Sequence, residues 1–210
     1  MLLRLILLLL IGIFPQLKAQ QLVENSPISD TTFVIVSAFS KAIVIDLKYA
    51  TADNFLGEKV YNCGECYLRY KTLKALLVAQ EKIQSKGYQF KLFDCYRPLS
   101  VQQKMWSLVS DPNYVADPAK GSLHNRGAAI DLTLVDKNGI ELDFGTTFDF
   151  FGEEASHSYL KLDKKVLKNR AFLKKVMTIS GFSIFPTEWW HYNIEGGEKF
   201  PITNFSWPCN

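Results

Sequence analysis

Ser122–Val135 reads SLHNRGAAIDLTLV, and the second half of this stretch is the run on which the fold turns. From Ala128 the residues AAIDLTLV are apolar and β-branched enough for a buried strand. Gly127 gives the backbone room to turn into it. Asp131 lies between Ile130 and Leu132, where a carboxylate is costly to bury without a cation or hydrogen-bond donors. His124, on the preceding loop, is placed to fold back towards that carboxylate. A loop imidazole and a strand carboxylate suit a divalent ion, although a His-x6-Asp spacing alone more often means a histidine hydrogen-bonded to a carboxylate in a core.

Working outward, TTFVIVSA from Thr31 and AIVIDLKY from Ala42 read as strands, as a hairpin or in succession. YKTLKALLVAQEKIQSK repeats Leu73, Leu76, Leu77, Gln80 and Ile83 at helical spacing, with Gly87 as its C-terminal stop. YQFKLFDC alternates as a strand, and Arg97 and Pro98 interrupt it. Ser100 with Gln103 forms a capping box for a helix through Trp106. Beyond the central strand, Asn138 and Gly139 give a type I′ hairpin signal returning through IELDF. A helix from about Asp163 draws on Val166, Leu167, Phe172, Leu173, Val176 and Ile179 and ends at Gly181. FSIF and EWWHYNI close the chain as short strands. Strands and helices are segregated, so the expected class is α+β: a single domain with a largely antiparallel sheet and flanking helices.

The chain of 210 residues opens on MLLRLILLLLIGIFPQLKAQ, a basic residue, an apolar run and small or polar residues at its end. This reads as a secretory signal over residues 1–20, cleaved near Ala19, ahead of one domain over 21–210. The apolar run stops well short of the about 20 residues a membrane anchor needs, so the expected product is exported, periplasmic or secreted, with no stable membrane anchor. Taking Arg4 and Lys18 from the 24 Lys and Arg leaves 22 against 21 Asp and Glu, a net charge of about +1. That balance argues against nucleic acid as a partner. Cys63, Cys66, Cys95 and Cys209 suit one or two disulfides in an oxidising compartment, with three full pairings open. Cys63 and Cys66 alone form a C-x-x-C, which lacks the second half of a zinc knuckle.

The third metal-ligand candidate is His191, in TEWWHYN. His124, Asp131 and His191 make the three-ligand count of a catalytic zinc with one open position. Glu188 lies three residues earlier and suits a general base. In a straight strand the two would face opposite sides, so E-W-W-H must bend or bulge. Arg97 offers planar donors for an oxyanion, or alternatively a structural ion pair with Asp94. Glu188 and His191 could equally be a surface pair. His157 is read as exposed or as supporting the site without touching the metal, and Trp189 and Trp190 as core and pocket wall.

Together these blocks resemble the D-alanyl-D-alanine dipeptidase family, the VanX-like zinc peptidases. The resemblance rests on KYATADNFLG, FDCYRP, SLHNRGAAIDLTL, FGTTFDFFGEEASH and SGFSIFPTEWWHY, spread over nearly all of the chain after its leader. It implies one zinc ion on His124, Asp131 and His191, Glu188 as base, and Arg97 on the transition state. It further implies Asp149 on the substrate's amino group, Ser122 and Tyr49 as substrate contacts, and a small D-configured dipeptide as substrate. The implied fold is the α+β zinc fold shared with D-Ala-D-Ala carboxypeptidases and hedgehog domains. With an export signal, dipeptide scavenging or wall turnover fits better than antibiotic resistance. A carboxypeptidase or endopeptidase acting on peptidoglycan stems is the enzymatic alternative, and a non-catalytic zinc-stabilised binding module the other.

Overall fold

In the computed structural model, residues 27–207 are described. The signal-peptide reading and Cys209 lie outside them. Five strands form the main sheet: β2 (Val44–Ile45), β4 (Tyr88–Asp94), β5 (Ala129–Asp136), β7 (Glu188–Ile194) and β6 (Phe182–Phe185), in that spatial order. Every pairing is antiparallel except β2 with β4. The α+β class with a largely antiparallel sheet is therefore observed. A separate two-stranded sheet joins β1 (Phe33–Ile35) to β3 (Tyr67–Arg69).

Of the two arrangements open to the first two strands, a hairpin or strands in succession, the hairpin does not form. Only two residues of AIVIDLKY are strand, and they run parallel to β4, before the chain tightens into a 3₁₀ turn at Lys48–Ala50. Such short runs hold too little local information to choose a partner, and long-range packing chooses it for them.

β5 is central and buried along nearly its whole length, which is why it reads as a continuous apolar run rather than an alternating one. Its turn departs from type I′, which needs positive φ at both central residues. Among residues 136–140 only Gly139 has it, and the Asp136 carboxylate instead accepts the amides of Asn138 and Ile140. The return through IELDF is reduced to one bridge, Val135 with Glu141.

Helix α1 (Tyr70–Gln84) buries Leu73, Leu76, Ala79 and Ile83. Gln80 shares that face because its side-chain oxygen accepts the amide of Phe90, tying α1 to β4 at 3.0 Å. Gly87 takes φ of 82° and donates to Gln84 O, ending the turn as expected. Helix α2 (Leu99–Leu108) starts one residue before the proposed capping box, after Pro98. Ser100 lies inside it, and its amide is capped by Asn204 Oδ1 from the C-terminal segment at 2.9 Å. Helix α3 (Lys164–Thr178) buries Val166, Leu173, Val176 and Met177, while Ile179, expected to face inward, is 60% exposed.

Cys66 bonds to Cys95 across 29 residues, and Cys63 is disulfide-bonded too. The C-x-x-C therefore neither closes on itself nor offers thiolates to a metal. No helix among the described residues is long and apolar enough to cross a membrane.

Candidate metal centre

Register places the site. Two irregularities do the work, one on each side of β5. On β4 the pairing skips Phe93, so that Asp94 faces Asp131. On β7, Trp189, Trp190 and His191 intervene between the residues that pair with neighbouring positions of β6, Phe185 with Glu188 and Ile184 with Tyr192. This offset is the bulge that the E-W-W-H stretch required, and it turns Glu188 and His191 to one side, Glu188 Oε2 lying 3.8 Å from His191 Nδ1. Asp131 pairs with His191 across the β5–β7 ladder, completing a row Asp94, Asp131, His191 across three strands. His124 approaches from a 3₁₀ turn, His124–Arg126, which Gly127 ends at φ of 65°.

His191 Nδ1 lies 2.9 Å from Asp131 Oδ1, and His124 Nε2 lies 3.3 Å from Asp131 Oδ2. The two ring nitrogens are 3.2 Å apart. Each ring's other nitrogen is committed: His124 Nδ1 donates to Cys95 O at 2.6 Å, and His191 Nε2 donates to Asn193 Oδ1 at 2.8 Å. A carbonyl can only accept, so the nitrogen that each ring turns towards the other ring and towards Asp131 is the one that would offer a lone pair to a metal. Three electron-pair donors crowded into a buried space call for a shared cation, and the donor set fits a divalent metal. Burial opposes ionisation of Asp131, but positive charge and N–H donation from the imidazoles of His124 and His191 outweigh it and hold its carboxyl below the usual range; a divalent cation would take the place of those protons.

The cluster opens onto a cavity of about 220 Å³ also lined by Tyr49, Arg97, Ser122, Asp149, Glu188 and Trp190. All eight residues singled out from the sequence thus meet at one site. Burial raises the Glu188 carboxyl to about 8, the His191 ring opposing and the Asp131 and Asp149 charges adding to it. Asp149 is likewise lifted to about 8 by burial, against the hydrogen bond that Tyr49 OH donates to it at 2.8 Å. Asp149 also takes φ of 56°, alone among the described non-glycine residues in having positive φ. Such a conformation is held only where the surroundings enforce it.

Arg97 makes the ion pair with Asp94 that was one of its two sequence readings. Its Nε and Nη2 donate to Asp94 Oδ2 at 3.0 and 2.6 Å, and Nη1 donates to Gln102 at 2.8 Å. Five donors minus these three leave one N–H on each terminal nitrogen, and the guanidinium still lines the cavity. Ser122 Oγ accepts the amide of His124 at 3.1 Å. Trp189 stacks on Phe144 at 4.3 Å while Trp190 lines the cavity. His157 is half-buried rather than exposed and stands outside the ligand cluster.

Sequence reasoning missed Asn193 and underrated Asp94. Asn193 stands two residues after His191 on one strand, and period-two alternation alone puts it on the same face. Asp94, with no exposed surface, anchors Arg97 and also accepts Tyr61 OH at 2.7 Å.

A structural metal site is closed by four protein ligands, whereas His124, Asp131 and His191 are three, with a carboxylate and a cavity beside them. That asymmetry belongs to catalytic metal sites. The chain is a member of the peptidase M15 family, the D-ala-D-ala dipeptidase family, whose match spans residues 29–207, and is a metallopeptidase. It is 35% identical over 182 residues to the D-alanyl-D-alanine dipeptidase of Escherichia coli K12, covering 86% of this chain and 94% of that one. Similar enzymes of Enterococcus faecium, at 33% identity with 78% and 91% covered, and Enterococcus faecalis, at 31% with 83% and 96%, carry the same description.

Metal stabilises the folded chain if the cluster binds it. Free zinc at about 1,000 times its dissociation constant raises unfolding free energy by roughly 4 kcal/mol. Thermal unfolding with zinc and with a chelator measures this, and coincident curves would rule the cluster out as a metal site.

Proposed function

We propose that the protein is a zinc-dependent D-alanyl-D-alanine dipeptidase, acting on this or a related D-configured dipeptide. The observation that carries the reading is that Asp149, bonded to Tyr49, lines the cavity onto which the metal cluster opens. A zinc ion held by His124, Asp131 and His191 would polarise the scissile carbonyl and make a water more acidic. The remaining work falls to side chains. Glu188 takes a proton from the attacking water and returns it to the leaving amine, a role served by a carboxyl whose affinity for protons is raised towards neutrality. The free N–H groups of Arg97 donate to the oxygen on which negative charge develops. Asp149 receives the substrate's ammonium, and a buried carboxylate that loses its partner amine when the N-terminus is acylated discriminates against longer chains. Ser122 has its hydroxyl proton available to a substrate carbonyl or carboxylate.

The leader read at residues 1–20 and the buried Cys66–Cys95 bond both support export to an oxidising compartment. There the activity would serve dipeptide scavenging or peptidoglycan turnover. Hydrolysis of a panel of D,D- and L,D-dipeptides and stem peptides, with and without chelator, tests the reading. Chelator-sensitive release of D-alanine from the free dipeptide is expected. Absence of metal-dependent cleavage of any dipeptide defeats the proposal.

A further inference from the structure

The β4–β5 ladder ends where Asp94 meets Asp131, and Cys95 is the first residue beyond it. Its carbonyl has no strand partner and accepts His124 Nδ1 instead. The same short segment frames the His124 turn at two further points. Arg97 N–H donates to His124 O at 3.1 Å, and Arg97 O accepts Asn125 Nδ2 at 2.8 Å. Cys95 N–H donates to Asp94 Oδ1 at 2.9 Å, and the tie that reaches furthest from Cys95 is covalent. Its sulfur is bonded to Cys66, whose own carbonyl accepts Val36 N–H, and the next residue donates from Tyr96 N to Tyr67 O on β3. Both cysteines are essentially without exposed surface.

We propose that the Cys66–Cys95 disulfide is a positioning element of the metal centre: it holds the Cys95 carbonyl against His124 and so keeps that ring in the orientation and tautomer that ligate the ion. The inference rests on the reading of His124, Asp131 and His191 as a metal site. Groups that orient a ligating histidine typically govern metal affinity by about 10- to 100-fold. Beyond the end of the β4–β5 ladder, the cross-link adds a covalent tie to the few hydrogen bonds that hold this segment. The consequence is that metal retention depends on the oxidation state of a bond that does not touch the metal.

The test measures zinc dissociation constants by competition with a fluorescent chelator, and the visible spectrum of the cobalt-substituted protein. It compares the wild type, the double variant Cys66→Ala/Cys95→Ala, and Leu173→Ala, a buried α3 substitution that lowers stability without touching the 94–97 segment. The double variant is expected to bind zinc about 10-fold or more weakly with an altered cobalt spectrum, and Leu173→Ala to stay within about twofold of wild type. Equal affinities of the double variant and wild type, or an equal loss in Leu173→Ala, overturn the proposal. A wild type that binds no divalent ion removes the metal reading itself, a failure separable from a wild type that binds and a double variant that binds as well.

If the double variant does not fold, Cys66→Val/Cys95→Ala, which refills part of the emptied core, takes its place, and this variant and wild type are loaded with zinc and titrated with urea. Zinc release ahead of the loss of near-ultraviolet circular dichroism in the variant but not in wild type supports the positioning role. The same order of events in both overturns it.

Discussion

Glu188→Gln is expected to lower kcat on D-alanyl-D-alanine, the proposed substrate, by about 10³-fold while leaving zinc binding intact. Glutamine keeps the volume and one oxygen of the side chain but accepts no proton, and the three ligands are other residues. Glu188 is well placed for this division, 3.8 Å from His191 Nδ1 and largely buried in the cavity wall. Steady-state kinetics beside metal analysis by mass spectrometry give both readouts. A variant that retains more than about a tenth of wild-type kcat would show that the proton goes elsewhere. A variant that is inactive but metal-free would instead make Glu188 part of the binding cluster.

The second large effect is at Asp149. Asp149→Asn is expected to reduce kcat/KM for the free dipeptide by about 10²-fold or more, because a buried ammonium loses its counter-charge. The same change narrows the gap between the free dipeptide and its N-acetylated form, which offers no ammonium. If both substrates fall equally, Asp149 shapes the fold and not the choice of substrate. Stability moves the other way. The Asp149 carboxyl is raised from its ordinary value to about 8 by burial, with the Asp131 charge adding to this against Tyr49. The unfolded chain therefore ionises first as pH rises, and the folded chain loses stability from about pH 4 until the folded carboxyl ionises near pH 8. Asparagine escapes that loss and still accepts from Tyr49 OH. Metal-free Asp149→Asn is thus expected to be more stable than wild type by roughly 1–3 kcal/mol at pH 8 and by much less at pH 4. Urea unfolding at the two pH values measures it, and a difference independent of pH contradicts the assignment.

The parts of this site legible in sequence were those with strong local patterns. Asp131 stood out because a carboxylate in an apolar strand is anomalous wherever that strand goes. Glu188 and His191 implied their own bulge, since a base and a ligand three residues apart must share a side. Helix α1 was legible from its repeat, even to the misfit Gln80, whose role only the neighbouring strand explains. Pairing was not legible in the short strands: β2 lies parallel to β4 because of contacts made across almost 50 residues of chain. Nor did the cysteine spacing disclose that Cys66 reaches Cys95, a choice fixed by tertiary proximity. Asp149's left-handed backbone was equally hidden, because aspartate adopts it only under the pressure of its surroundings.

The offset in β7 has a mechanical meaning. Glu188 and His191, proposed as base and ligand, leave the same strand, Glu188–Ile194, so the distance from base to metal would be dictated by covalent chain geometry and by the sheet's stiffness. Tyr49, by contrast, arrives on the 3₁₀ turn Lys48–Ala50, and Ser122 and Asp149 on two separate loops. The groups proposed to choose the substrate and those proposed to break the bond are thus carried by different elements, so a change at Asp149 can alter which peptide is taken while the reacting gap keeps its length.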